Sequence, residues 1–112
     1  MAVSYPPESS IDVSTTAASL YTVPDTAGIL LRDATIKITN YTAATRLVNV
    51  YGVPSGGVAS QANADAYQAS VPPYDSILVA IRRLGQSGKI QVSADNAAAL
   101  NAALISGNLY TP

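Results

Sequence analysis

The charged side chains are the residues most able to do chemistry in this sequence, and they are few. There are seven Asp and Glu residues, six Lys and Arg residues, no histidine and no cysteine. Without histidine the sequence lacks the usual general base and the commonest metal ligand. Without cysteine it can form neither a disulfide nor a thiolate metal site. These absences argue against the common catalytic triads and metal centres.

A pair of carboxylates is the remaining route to acid–base catalysis. Four of the acids, however, fall at predicted turns or caps, where Asp side chains bond to nearby backbone. These residues are Asp25, Asp65, Asp75 and Asp95. We therefore predict no catalytic residue, no cofactor and no metal, and we expect that the protein is not an enzyme.

Two adjacent arginines, Arg82 and Arg83, are the most unusual local feature. Consecutive residues of a strand face opposite sides, so one of the two would face the interior side or a partner. Two interpretations stay open. Both side chains reach solvent at the end of a strand, or one forms an ion pair with another subunit, a role that suits arginine.

The seven tyrosines also have two interpretations, as a carbohydrate-binding platform or as core and interface residues. The second is favoured because the chain has no Phe or Trp to fill its core and because tyrosine is enriched at protein interfaces. The candidate interface residues are Tyr5, Ile11, Val13, Arg46, Tyr51, Tyr74, Arg82 and Arg83.

Composition limits the partners of this 112-residue chain, whose length suits one domain. Only 12% of the residues are charged, against about 25% in an average domain. Nucleic-acid binding needs a basic face, and no such face is expected at a net charge of -1. No apolar run reaches the roughly 18 residues that would predict a membrane helix, and the N-terminus lacks signal-peptide features. Weakly charged surfaces tend to associate, so we predict a homo-oligomer, with a trimer favoured.

The first 18 residues are small and polar, and we predict that they form an extended N-terminal arm outside the sheets. Pro6 and Pro7 favour extended backbone and cannot donate hydrogen bonds to a neighbouring strand. The arm is either a disordered tail or a segment that becomes ordered on a neighbour. Tyr5, Ile11 and Val13 favour the second interpretation because they give the arm apolar surface to bury. We expect the domain, residues 19–112, to fold without it.

Six short strands with period-two alternation are predicted in that domain. In the second, Ala34, Ile36 and Ile38 share one face while Thr35 and Lys37 share the other, as in a half-buried antiparallel strand. Such strands, separated by turn residues, indicate an all-β fold, an antiparallel β-sandwich or jelly roll. The predicted strands are residues 19–23, 29–40, 45–53, 67–71, 76–84 and 89–94.

The last segment is ambiguous. Residues 95–106 contain Ala and Leu, strong helix formers, with Asp95 as a possible cap and Gly107 as a stop. The same residues fit a loop followed by a strand over residues 99–106. Local propensity favours the helix, and the two alternatives stay open on the residues alone.

Two stretches of the chain resemble a recurrent pattern of small tailed-phage virion proteins. The first is SLYTVPDTAGILLRDATIKITNYTAATRLVNVYGVPSGG, residues 19–57. The second is YQASVPPYDSILVAIRRLGQSGKIQVSA, residues 67–94. In that pattern a short strand and a turn precede a long strand, an Asn-containing turn and a strand ending in a Pro-Ser-Gly-Gly loop. The resemblance covers residues 19–107 and implies a closing strand over residues 99–106.

The resemblance implies a structural protein of a bacteriophage particle. The first expectation is a capsid decoration (cement) protein that bridges and stabilises major capsid subunits. The alternatives are a tail, baseplate, fibre or head–tail joining protein and, from another class, a glycan-binding or cell-surface adhesion module. The implied partners are the major capsid protein or other virion proteins, and the implied location is the virion, assembled in the bacterial host cytoplasm.

Overall fold

The computed structural model describes residues 2–112, which form two antiparallel β-sheets and one 3₁₀ turn, Gln61–Asn63. Sheet A contains β1 (Ala2–Ser4), β2 (Ser9–Asp12), β4 (Leu30–Asn40), β7 (Ser76–Ala80), β8 (Leu84–Gly85) and β10 (Leu100–Thr111). Sheet B contains β3 (Ala18–Thr22), β5 (Arg46–Val53), β6 (Ala64–Val71) and β9 (Lys89–Ala94). Across residues 2–112 there is no helix long and apolar enough to cross a membrane.

The strands are ordered as in a jelly roll. In sheet A, β10 lies between the N-terminal strands β1 and β2 on one side and β4 on the other, and β7 and β8 pair with β4. In sheet B the order is β3-β9-β5-β6. The chain therefore passes repeatedly between the two sheets, which is the connectivity of a double-sheet jelly roll. The predicted all-β fold, an antiparallel β-sandwich or jelly roll, is confirmed.

The core lies between the sheets and consists of aliphatic side chains. In β4, Ala34, Ile36 and Ile38 are buried whereas Lys37 is exposed, which confirms the predicted faces of this strand. β-Branched residues pack well on a pleated sheet, and they fill the core of a chain without Phe or Trp. The other strands contribute Val48, Val50, Val71, Val79, Ile90 and Val92.

The Ala- and Leu-rich C-terminal segment is the strand β10, so the strand alternative for residues 99–106 is confirmed and the helix is wrong. Leu100, Ala102 and Leu104 alternate into the core, and β10 pairs with β4 along most of its length. The strand also continues to Thr111, beyond the predicted end. Central pairing and burial of every second side chain outweigh the local helix preference, since propensity is a weak prior.

The N-terminal arm belongs to sheet A, so its predicted place outside the sheets is wrong. β1 and β2 both pair with β10 and cover its outer edge. Pro6 and Pro7 interrupt this pairing only between the two short strands, because a missing N–H prevents ladder bonds locally. Met1, the first residue of the predicted arm, lies outside the described residues.

Strand β6 begins at Ala64, three residues before its predicted start at Tyr67. Its pairing with β5 contains two register shifts, and Gln68 has a φ of 51°. Such bulges break the period of two, which is why the sequence pattern does not reveal the whole strand. Asp65 therefore lies in β6, and its predicted position in a turn is wrong.

Candidate interaction surface

Two turns lie side by side at one end of the sandwich. Residues 41–45 connect β4 to β5, and residues 72–75 connect β6 to β7. The Asn40 amide donates to the Asp75 carbonyl at 2.9 Å, and the Tyr74 amide donates to the Thr42 carbonyl at 3.2 Å. These backbone hydrogen bonds fix the position of one turn against the other.

The side chain of Asn40 bonds to the first turn and to the end of β6, directly before the second turn. It is 1% exposed, and its Nδ2 donates to the carbonyl oxygens of Ala44 at 2.8 Å and Val71 at 3.0 Å. Its Oδ1 accepts from the amide of Thr42 at 2.9 Å and from the Thr42 hydroxyl at 2.8 Å. An Asn side chain offers two donors and one carbonyl acceptor with two lone pairs, so this buried amide is fully satisfied. A fully bonded buried amide makes the end of the sandwich rigid.

Each of the two turns presents an exposed tyrosine. Tyr41 is 63% exposed and Tyr74 is 73% exposed, and Pro72 and Pro73 beside Tyr74 are exposed as well. We call the exposed surface of these four residues the tyrosine surface. It presents two exposed aromatic rings and two exposed prolines on a rigid support, and exposed tyrosines are common at protein interaction sites.

Tyr74 adopts a backbone conformation that disfavours large side chains. Its φ is 53°, in a turn closed by the hydrogen bond from the Asp75 amide to the Pro72 carbonyl at 3.3 Å. Glycine or asparagine is preferred at such a position, and an L-residue there costs roughly 1–2 kcal/mol. Strain of this kind concentrates at functional sites, so the exposed phenol of Tyr74 is the strongest pointer to function at this end.

Of the predicted interface residues, Tyr74 and Arg46 lie at this end of the sandwich. Arg46 is half-buried at the start of β5, and its Nε donates to the Thr42 hydroxyl at 3.4 Å. The predicted set did not include Tyr41 or the supporting Asn40. The Asn-Tyr-Thr sequence marks a turn, but nothing in it shows that this turn packs against residues 72–75.

Three predicted interface residues face their own chain. Val13 is 1% exposed and Tyr51 is 8% exposed, so neither is available to a partner, and both predictions are wrong. Ile11 is half-buried and packs against the core. Val13 follows β2 directly, and its backbone amide donates to the Leu100 carbonyl at 2.9 Å. This hydrogen bond fixes the backbone of Val13 against the start of β10.

Arg82 has an acidic partner within the same chain. Its Nε lies 2.9 Å from Asp65 Oδ1, and its backbone amide donates to Asp65 Oδ2 at 3.0 Å. The pair joins the connection after β7 in sheet A to β6 in sheet B. β7 ends at Ala80, so the predicted strand over residues 76–84 is too long. Arg83 is exposed and forms no ion pair within residues 2–112.

Gly52 makes room for this ion pair. A Cβ atom added at Gly52 would lie 2.7 Å from Arg82 Cγ and 2.9 Å from Asp65 Oδ2. Those distances are shorter than any ordinary contact, so a larger residue would displace the pair. The sequence pattern reveals neither the pair nor the need for a glycine beneath it.

Tyr5 lies away from the tyrosine surface, at the outer edge of β10. It is 82% exposed and lines a surface pocket of about 390 Å³ together with Pro6, Glu8, Asp33 and Ile105. Residues 2–112 contain no group of three or more His, Cys, Asp or Glu side chains placed to hold a metal ion.

Turns at the opposite end of the sandwich are tied together by Asp25. Gln86 Nε2 donates to Asp25 Oδ1 at 2.6 Å, and the Ser87 hydroxyl donates to the same oxygen at 2.9 Å. These hydrogen bonds favour the charged form and hold the pKa of Asp25 below its usual value. In β3, burial raises the pKa of Tyr21. Both effects are structural and lie far from the tyrosine surface.

Comparison with known proteins identifies a fold and no family. No protein-family model and no curated protein matches the sequence. Among solved structures, the chain is similar to one from Bacillus endospore appendages, a family of disulfide-linked pili, with a TM-score of 0.59 and 14% identity. That match covers 97% of this chain and 88% of the appendage chain.

Two further similar structures come from infectious bursal disease virus. A chain of the T13 viral particle matches with a TM-score of 0.57 and 12% identity over 96% of this chain and 30% of its own length. A chain of the Gx strain matches with a TM-score of 0.54 and 14% identity over 96% of this chain and 32% of its own length. This chain therefore spans only about a third of each viral chain. At these identities, what is shared is the fold.

Proposed function

We propose that this protein is a structural subunit of a bacteriophage particle and acts as a capsid decoration protein. The observation that carries the proposal is a jelly roll, nearly all of which superposes on chains from a viral particle and from a pilus appendage. The resemblance of residues 19–107 to small tailed-phage virion proteins supports the choice of a phage. The role is one of binding and bridging rather than catalysis.

The tyrosine surface is the proposed contact with the capsid. A buried tyrosine removes roughly 150–250 Å² from water. Because Tyr41 and Tyr74 are about two-thirds exposed, covering both would contribute about 5–8 kcal/mol at ~25 cal/mol per Å². That figure precedes the entropy lost on association. A protein that binds only the assembled shell stabilises that shell by mass action.

Location on the particle tests the proposal directly. Antibodies raised against the purified protein would be used for immunogold electron microscopy of phage particles and of cells from the source organism. Regular labelling of the capsid supports decoration, whereas label confined to the tail, baseplate or fibre supports those alternatives. Label on cell-surface filaments, with none on particles, would overturn the phage proposal.

Substitution of Tyr74 by glycine separates binding from folding. Glycine accepts a positive φ without strain, so Tyr74→Gly should leave the fold intact and raise its stability by about 0.5–1 kcal/mol. The same change removes an exposed aromatic contact and should weaken binding to isolated capsids about tenfold or more. The matched control is Tyr67→Ala, which removes a half-exposed tyrosine from β6. Equal binding by both variants would remove the tyrosine surface from the proposal.

A glycan-binding role is the second candidate, and the same exposed tyrosines favour it, because aromatic rings are common platforms for sugars. Binding of labelled protein to a panel of immobilised glycans would reveal it. Glycan binding that is lost in both Tyr41→Ala and Tyr74→Ala, without capsid binding, would favour an adhesion module. A disulfide-linked pilus is a poor model for the assembly of this protein, because this chain contains no cysteine.

A further inference from the structure

The first strand is weakly attached to its own sheet. Ala2–Ser4 pair with the last part of β10, with Val3 opposite Tyr110. All three residues are exposed, Val3 by 56%. Among the described residues, the one side-chain hydrogen bond that joins residues 2–8 to another segment runs from the Ser9 hydroxyl to the Pro7 carbonyl at 3.4 Å, and β1 itself has none. Residues 2–8 form no ion pair. The polar contacts of β1 with its sheet are therefore those of a short backbone ladder.

The next strand, β2, is held much more firmly. Ile11 packs against the core, and its carbonyl accepts a hydrogen bond from Asn101 Nδ2 at 3.2 Å. Val13, directly after β2, is buried and bonded through both its amide and its carbonyl. The change from a loose to an anchored chain thus falls between β1 and β2, at the segment containing Pro6 and Pro7.

This segment leaves an open edge on β10. Ser4 pairs with Leu109 and Ser9 pairs with Leu104, so residues 5–8 lie opposite residues 105–108, four against four. The lengths match, yet no pairing forms, because Pro6 and Pro7 have no N–H to donate. The space between the two segments is the pocket beside Tyr5. An unpaired strand edge invites pairing with another chain.

We propose that β1 is an exchangeable strand that pairs with β10 of a second copy of this protein. A second copy offers the same β10 edge in the same register, so every ladder bond lost in one copy is regained in the other. Exchange of identical elements is a low-cost route to assembly. The Pro6-Pro7 segment is already stiff and extended, so it loses little entropy when it spans two copies.

Chain length limits the geometry of this exchange. Four extended residues span at most about 13 Å, so the β10 edge of the second copy must lie close to the pocket of the first. The biological purpose of the exchange, which is to link subunits on a particle, rests on the proposed function. The exchange itself follows from β1, β10 and the proline segment.

Engineered cysteines test the exchange cleanly, because the natural chain has none. Two full-length variants, Val3→Cys and Tyr110→Cys, would be purified separately, mixed at the concentration used for assembly and oxidised. Directly opposed residues of antiparallel strands are close enough for a disulfide. We expect a covalent dimer that joins one variant to the other. The control mixture pairs Val3→Cys with Leu78→Cys, whose cysteine lies on an exposed part of β7.

A second measurement uses the proline segment. Replacing both Pro6 and Pro7 by alanine restores two N–H donors, so the arm can pair continuously with its own β10. The cross-linked dimer should then fall about tenfold, the size expected of one added hydrogen bond. A rise in its yield, or no change, would contradict the mechanism.

The proposal is overturned if the mixed variants give no more dimer than the control while a Val3→Cys/Tyr110→Cys double variant closes a disulfide within one chain. If the variants cross-link but antibodies against the protein never label virions, strand exchange is supported and the phage role is rejected. If the protein is found on capsids but the variants do not cross-link, the phage role is supported and strand exchange is rejected. The two proposals can therefore fail separately.

Discussion

Replacement of Asn40 by alanine should destabilise this protein more than any other single change to a polar side chain. Asn40 makes four side-chain hydrogen bonds at 1% exposure. Three of its partner groups belong to Thr42 and Ala44 in a surface turn, where water can replace part of what is lost. The fourth, the Val71 carbonyl, lies in a fully buried residue, so it is left without that donor.

These contacts set the expected magnitude. A buried polar group that loses its partner costs about 1–3 kcal/mol, and three partly solvated hydrogen bonds add about 0.5 kcal/mol each. The free energy of unfolding should therefore fall by about 2.5–4.5 kcal/mol, a large share of the roughly 5–15 kcal/mol typical of a domain. At roughly 4 °C per kcal/mol for a domain of this size, the Tm should fall by about 10–18 °C.

Urea denaturation followed by circular dichroism measures this loss, and Asn63→Ala is the matched control. Asn63 also accepts one backbone hydrogen bond and donates another, but both lie on an exposed turn. Asn63→Ala should cost about 0.5–1 kcal/mol. If Asn40→Ala were no more destabilising than Asn63→Ala, burial of the amide would not be what holds the two turns.

A second variant, Asn40→Asp, adds a dependence on pH. The new carboxyl would face two carbonyl oxygens in a buried site, which raises its folded pKa above the unfolded value of about 3.9. A group with a raised folded pKa contributes stability below its unfolded pKa and loses that contribution as the pH rises through the folded pKa. Relative to the natural protein, Asn40→Asp should therefore be weaker at about pH 7 than at about pH 4.

Three further predictions concern stability. Arg82→Ala should lower the free energy of unfolding by about 1–2 kcal/mol because it leaves Asp65 without its charged partner, and solvent exposure of the pair keeps this value small. Arg83→Ala should cost less than about 0.5 kcal/mol. Equal losses for the two variants in urea titrations would refute the Arg82–Asp65 ion pair as a stabilising contact. Removing residues 1–7, which deletes β1 alone, should change the Tm little. Removing residues 1–18 deletes β1, β2 and the core residue Val13 and should cost about 3–5 kcal/mol or more, which reverses the expectation from sequence; calorimetry of both truncations decides. Ile36→Ala should cost about 2–5 kcal/mol, and a near-neutral result would show that its side chain does not face the core.

Much of the fold could be predicted from local patterns. Alternation along Ala34, Ile36 and Ile38 identifies the inner face of β4, because a strand places every second side chain on the same side. Turn residues such as Pro24-Asp25 and Pro72-Pro73 mark where strands end, since proline fixes φ and Asp bonds to nearby backbone. These effects depend on a few neighbouring residues, so they can be predicted without the tertiary structure.

Residues 100–111 required the tertiary structure. Their Ala and Leu content favours a helix, and only the β4 edge beside them, with a core to receive Leu100, Ala102 and Leu104, selects a strand. The strands formed by residues 2–4 and 9–12 also depend on tertiary contacts. The proline pair argues locally against a strand, but the open edge of β10 recruits the residues on either side of it.

The candidate site depended even more on contacts between distant parts of the chain. Tyr41 and Tyr74 lie 33 positions apart in the sequence. They lie at the same end of the sandwich because backbone hydrogen bonds join Asn40 to Asp75 and Tyr74 to Thr42. Arg82 has Asp65 as its partner because β7 and β6 lie in facing sheets. Residue types and periodicity determine which segments become strands. Which side chains become neighbours is decided by sheet order, since pairing brings together groups that no local pattern relates.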